Sequence, residues 1–281
     1  MKTILVLTDF SAPSYTAAQF ALSVANVLEA DITLCHVIEE IVGSRIKIFP
    51  EEYVGLRDGA IKNLNLQVHN LINEKSDSDT TSTRVSYCTA LGSVTDTVSN
   101  VANVEKVILL VMGMSGAGMI DRMIFGSNTL NSIDKANCPV LLVPFKNLPD
   151  NINKIAFASD LSLGDIDLIH SLISFAKLFN AEILIVHISE ASADQFKVDN
   201  FLNEVTNKVN YFKIYYRHIQ DKSVDHGLDW IAKKGLIDVF AIVHRNTKFP
   251  ENLFTGSVTK KLSRSIEIPL LVFQENQYPI F

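Results

Sequence analysis

Glycines stand at positions 113, 116 and 126, and Ser127 follows the last of them directly. Glycines in such a segment let the backbone approach an anion closely and adopt φ > 0, and a helix that opens next to them offers free N–H groups and a positive dipole end. The chemistry this would serve is the cradling of phosphate. Three loop glycines also make ordinary turns, so the neighbouring residues decide. Val107–Met112 is an unbroken apolar run of the kind that forms a parallel strand buried on both faces, and Asn128–Ala136 carries Leu130 and Ile133 at helical spacing. Strand, glycine loop and helix start follow in the order an anion site needs.

Other residue types with chemical potential carry less. Five of the seven histidines, His170, His187, His218, His226 and His244, fall in the second half. Their spacing includes neither His-x3-His on a helix nor a neighbouring cysteine pair, so structural or surface histidines are expected and a dedicated metal site is not. Cys35, Cys88 and Cys138 form no Cys-x-x-Cys pair, and two lie in strand-like runs, which predicts buried reduced thiols. His244 and Arg245 could hold an anion at a helix beginning at Ser257, near Lys248, Lys260, Lys261 and Arg264, although exposed loop residues are the plainer reading.

The elements that would position these residues repeat. A shift of 151 lays Ile4–Ser11 over Ile155–Ser162, Ala25 over Ala176 and His36 over His187; a shift of 130 lays Gly126-Ser127 over Gly256-Ser257 and Cys138–Val143 over Ile268–Phe273. The difference leaves 21 extra residues in the first half, assigned mainly to Ile41–Gly59, where Gly43, Pro50 and Gly55 interrupt any regular period. Strands alternate with helices in both halves, which predicts parallel sheets with right-handed crossovers. The first helix is capped at Ser11 or Ser14 around Pro13 and turns Ala18, Ala21, Leu22, Ala25 and Leu28 toward the sheet; Ile169, Leu172, Ile173, Ala176 and Phe179 are their larger counterparts. Asn147–Asn153 is polar, contains Pro149 and forms the linker, so the domains are residues 1–148 and 149–281.

The glycine spacing Gly113-x2-Gly116-x9-Gly126-Ser127, followed by Cys138-Pro139-Val140, resembles the nucleotide-binding branch of the universal stress protein family at every motif position. Ile4–Ser11, with its carboxylate Asp9, and Leu34–Glu40 look like that family's first two strands. The resemblance implies an α/β fold of two tandem domains, each a five-stranded parallel sheet with helices on both faces, of the adenine nucleotide alpha hydrolase-like type. It implies that Thr8 and Asp9 lie beside a nucleoside and that the backbone of Val37 reads the adenine edge. Met112, Gly113, Met114 and Gly116 would meet ribose and phosphates, with Gly126, Ser127 and Asn128 at the phosphate end. The cofactors expected are ATP or another adenine nucleotide and Mg2+, the metal held mainly by phosphates and water. Asp9 could equally cap the strand-to-helix turn, and Asp160 occupies the matching place. The second half has lost the first two glycines: Val243–Thr247 stands for Met112–Gly116, and twelve positions separate His244 from Gly256 against thirteen from Gly113 to Gly126. One nucleotide per chain is expected.

The chain has 281 residues, 47% of them apolar, enough for two cores, and its net charge of −6 argues against general nucleic-acid binding. Met1–Asp9 has too short an apolar core for a signal peptide and no run approaches a membrane span, so a cytoplasmic protein is expected. A nucleotide-dependent stress sensor or switch is the leading reading. Slow ATP hydrolysis is an alternative, without a Walker-type lysine to support it. A non-catalytic interaction module is another, in which the repeats pair through Val140–Val143 and Leu270–Phe273 as a pseudo-dimer, with homodimerisation also open.

Overall fold

A computed structural model describes residues 2–39, 50–73, 83–104, 106–114, 133–208, 210–245, 267–275 and 281. The chain divides between Phe145 and Lys146 into two compact units.

The first unit contains β1 (Thr3–Leu7), α1 (Ala12–Leu28), β2 (Asp31–Ile38), α2 (Pro50–Asn73), β3 (Val85–Leu91), α3 (Val94–Val104), β4 (Val107–Met114) and β5 (Val140–Pro144). Its strands lie in the order β3-β2-β1-β4-β5 and every pair is parallel. The path moves outward from β1 through β2 to β3, then crosses back to β4 and β5. Right-handed crossovers therefore put α1 and α2 on one face and α3 on the other. Ile4, Leu5, Val6, Leu109, Leu110 and Val111 are fully buried, as strands covered on both faces require.

Helix α1 begins where the sequence predicts. Ser11 is its N-cap, accepting from the Ser14 N–H, and Pro13 occupies the first turn, where no N–H is missed. Ala18, Ala21, Leu22, Ala25 and Leu28 are all buried. Its small residues let it lie close to β4.

Helix α2 departs from expectation. The excursion placed over Ile41–Gly59 is helical from Pro50 onward, and Gly55 and Gly59 lie inside the helix. Proline suits the first turn of a helix, and both glycines face open space, so neither breaks it. The preceding residues 41–49 lie outside the described residues. The added length does fall between β2 and β3, where 46 residues separate Ile38 from Val85, against 24 between Ser189 and Ile214 in the second unit.

The second unit contains β6 (Lys154–Ala158), α4 (Gly164–Phe179), β7 (Glu182–Ser189), α5 (Gln195–Lys208), β8 (Ile214–Gln220), α6 (Val224–Lys234), β9 (Val239–His244) and β10 (Leu270–Gln274). Its order β10-β9-β6-β7-β8 is again all parallel. The repeat extends to single backbone torsions. Phe10 and Leu161, 151 apart, both hold positive φ, at 65° and 60°, and the C-caps Glu29 and Asn180 do so at 51° and 55°. On α4, Ile169, Leu172, Ile173 and Ala176 are buried; Phe179 is half-exposed and packs on Phe175 with ring centroids 4.8 Å apart. Trp230 of α6 carries the Arg217 guanidinium 5.3 Å from its ring centroid. Cys35 and Cys138 are buried and in no disulfide, and burial pushes the Cys138 thiol up to about 12.

Candidate functional site at the strand ends

The chain direction across the first sheet reverses between β1 and β4, and in open α/β sheets the crevice outside the strand ends at such a point is where ligands bind. At the end of β1 the Thr8 N–H donates to the Cys35 carbonyl at 2.9 Å. The Thr8 carbonyl in turn meets His36 Nδ1 at 2.8 Å. The buried Thr8 hydroxyl donates to Gln67 Oε1 of α2 at 3.1 Å, accepts the Phe10 N–H at 3.1 Å and lies 3.2 Å from Ser14 Oγ. Thr8 therefore braces the turn, and its hydroxyl is already engaged.

Phe10, at positive φ, sets its ring 4.3 Å from the His36 ring. Backbone strain at a site is often read as a ligand clamp. Leu161 repeats the torsion, so here it belongs to the fold of both units.

Asp9 is exposed beside this turn, and its Oδ1 accepts from the Ser11 N–H at 3.0 Å and the Ser11 hydroxyl at 2.5 Å. Partial burial pushes its carboxyl up, but the hydrogen bonds from Ser11 and Ser14 outweigh that and hold it below the usual carboxylate range. It is an anion at neutral pH.

The β1–β2 ladder ends at Leu7↔Cys35. In a parallel strand one residue's N–H and C=O face the same neighbour, and alternate residues face opposite neighbours. The Ile38 carbonyl bonds toward β3 and the Cys35 carbonyl toward β1, so the Val37 peptide groups face the side where β1 has already ended.

Met112, Gly113 and Met114 close β4, and Gly113 pairs with Val143 of β5. A Cβ on Gly113 would lie 2.5 Å from the Pro13 carbonyl oxygen and 2.9 Å from the Ser14 nitrogen. The glycine is therefore needed for α1 to dock, which brings the N-terminal end of that helix to the strand ends. A bulky residue at 113 would therefore disturb the docking of α1 as well as any ligand at the strand ends. Thr8, Asp9, Val37, Met112, Gly113 and Met114 converge at the ends of β1, β2 and β4; Gly116, Gly126, Ser127 and Asn128 lie outside the described residues.

In the second unit, sheet register pairs Val243 with Phe273 as Gly113 pairs with Val143. Val243, not His244, thus holds the glycine's place, one position from the sequence alignment. His187 Nδ1 meets the Ser159 carbonyl at 3.0 Å, the counterpart of the His36–Thr8 contact. The strand-end side chains differ. His244 and Arg245, read as exposed loop residues, are only 5% and 6% exposed. Arg245 does not await an anion: it pairs with Asp160 at 2.8 Å and Asp165 at 2.5 Å.

Sequence reading missed Gln67 and the partners of Arg245. Gln67 lies 59 residues from Thr8, and no local pattern links them. Among the described residues no three His, Cys, Asp or Glu side chains converge as a metal would require, and no helix is long and apolar enough to cross a membrane.

A family model described as the Universal stress protein family matches residues 1–144. Universal stress protein MJ0577 of Methanocaldococcus jannaschii is 28% identical over 156 residues, covering 52% of this chain and 96% of that protein. The crystal structure of a universal stress protein from Archaeoglobus fulgidus matches with a TM-score of 0.74 at 14% identity over 98% of both chains. A putative universal stress protein from Pseudomonas aeruginosa matches with a TM-score of 0.60 at 15% identity, over 97% of this chain and 92% of that one. At those identities the structural likeness is one of fold.

Proposed function

Because the chain belongs to the universal stress protein family, we propose that its first domain, residues 1–148, binds one adenine nucleotide, ATP with Mg2+, and that the bound state changes what the protein associates with. The domain at residues 149–281 binds none. The observation that carries this reading is the convergence at the switch point: a peptide edge at Val37, an anionic Asp9 and the N-terminal end of α1 seated against Gly113. The residues suit the ligand by charge and position. The Val37 N–H and C=O supply the donor and acceptor that an adenine edge requires. Asp9 can accept from a ribose hydroxyl or from water on the metal, and Mg2+ needs few protein ligands because it keeps its waters. ATP supplies charge that the helix end stabilises.

The role is that of a sensor or switch in the stress response. A segment ordered by phosphate contacts is a two-state element, and a ligand shifts it by its difference in affinity for the two states. A cytoplasmic location, pairing of the two domains as a pseudo-dimer and further self-association belong to the same proposal. Sedimentation with and without ATP measures the assembly directly.

The test is to denature protein purified without added nucleotide, identify what is released by mass spectrometry and count it. One adenine nucleotide per chain is expected, and Asp9→Asn, which keeps an oxygen for the Ser11 hydrogen bonds, is expected to weaken ATP binding in calorimetry while leaving the melting temperature near that of the parent. No released nucleotide together with no binding of added ATP and Mg2+ would sink the proposal.

A further inference from the structure

At the end of β9 the second repeat buries an arginine whose guanidinium is bound on several sides by its own chain. Arg245 Nη1 donates to Asp160 Oδ2 at 2.8 Å, and Nη2 donates to Ser162 Oγ at 3.0 Å and Asp165 Oδ1 at 2.5 Å. Nε lies 3.7 Å from Glu275 Oε1. The receiving groups are themselves held. Asp165, with no exposed surface, accepts from Ser159 Oγ at 2.5 Å through its other oxygen, and Asp160 Oδ1 accepts the Ser162 N–H at 3.0 Å.

The equivalent positions in the first repeat, 151 residues earlier, are Thr8, Asp9, Ser11 and Ser14. One substitution changes the chemistry. Ser14 of the first repeat is matched by Asp165, so the second strand end has two carboxylates around the space where the first has one carboxylate and hydroxyls. A planar guanidinium presents five donors in a fixed fork and meets carboxylates in that geometry, whereas a phosphate placed there would meet like charge.

We propose that the strand-end crevice of the second repeat is a guanidinium site, built by Asp160, Ser162 and Asp165 and filled by the chain's own Arg245. The site takes a cation where the first repeat is proposed to take an anion. That contrast rests on the nucleotide reading; the guanidinium site itself does not. Because Arg245 stands at the end of β9, the site is filled from within the chain and ties β9 to the start of α4.

Chemical rescue in the full-length protein tests this. Arg245→Gly leaves the two carboxylates unpaired and is expected to lower the melting temperature by about 10 °C. Guanidinium chloride at low millimolar concentration is then expected to raise the melting temperature of Arg245→Gly while leaving that of the wild type unchanged or lower. Sodium chloride at the same ionic strength does not reproduce the rise. A variant that melts with the wild type, or one that guanidinium does not lift above the sodium chloride control, overturns the proposal. Should Arg245→Gly not fold, the comparison passes to Arg245→Met with and without Asp165→Leu. The double variant is expected to be the more stable, since it no longer buries an unpaired carboxylate, and equal or lower stability overturns the site. Neither readout involves nucleotide, so this proposal and the nucleotide reading fail separately.

Discussion

At the end of β1, hydroxyls from Thr8, Ser11 and Ser14 surround a turn with one exposed carboxylate; at the end of β6 the same turn carries two carboxylates closed over by Arg245. The backbones match, down to the positive φ of Phe10 and Leu161 and the histidine contacts to Thr8 and Ser159. The two units thus share a scaffold and differ in the polar groups it displays. What separates the two ends is charge: an exposed anion against a carboxylate pair closed over by a buried arginine. Three residue differences carry most of the contrast: Gly113 against Val243, Ser14 against Asp165 and, in the sequence, Ser115 against Arg245.

Importing one repeat's residue into the other is the sharpest way to break the comparison. Gly113→Val installs the second repeat's side chain where its Cβ would strike the Pro13 backbone, and overpacking of this kind costs about 3 kcal/mol at the upper end of its range. The urea midpoint should fall accordingly and ATP binding should be lost with it; a neutral substitution would show that α1 can shift to admit the side chain.

A smaller loss is expected for Thr8→Val. It strands Gln67 Oε1 and the Phe10 N–H, and unpaired buried groups cost about 1–3 kcal/mol. Amide exchange at Phe10 should accelerate along with the loss of stability.

Acid sharpens the contrast further. Burial pushes the Asp165 carboxyl up to about 6, against the attraction of Arg245, whereas Asp9 is held below the usual range. A raised folded-state pKa stabilises fully below the unfolded value and loses that contribution as pH rises through the folded one. Relative to Asp165→Asn, the wild type should therefore lose stability as pH climbs from the ordinary aspartate range to about 6. Asp9 runs the other way, its contribution being lost as pH falls through its depressed pKa. Carboxyl NMR titration of both residues measures the two midpoints directly.

The smallest effect concerns the C-caps. Glu29 and Asn180 both sit at positive φ, but asparagine tolerates that region and glutamate does not. Glu29→Gly should be neutral to stabilising by about 0.5 kcal/mol once chain entropy is counted, and Asn180→Gly should gain less. Thermal melts of the pair decide whether the two caps are energetically distinct.

The doubled fold could be read from the chain because its signals are local or strictly spaced. The offsets of 151 and 130, the Ser11 cap and the alanine face of α1 need no knowledge of distant contacts. The helix from Pro50 was hidden because its glycines face solvent, where an interrupted pattern does no harm. Arg245 was misread for a different reason: its partners Asp160 and Asp165 lie 85 and 80 residues away and meet it only once β6 and β9 pair. The packing role of Gly113 likewise depends on Pro13, a hundred residues earlier. Spacing pointed to a strand-end crevice, but which groups remain open there depends on pairings that only the folded sheet makes.

The chain's single tryptophan, Trp230, belongs to the second repeat, where it lies beneath Arg217 on α6. Its emission is therefore an optical tag for that half alone, while far-ultraviolet dichroism records the helices of both. A melt followed by the two signals together becomes a test of cooperativity. Superposed curves would mean that the halves unfold as one, and an added nucleotide that delays only the dichroic transition would locate its binding without a label.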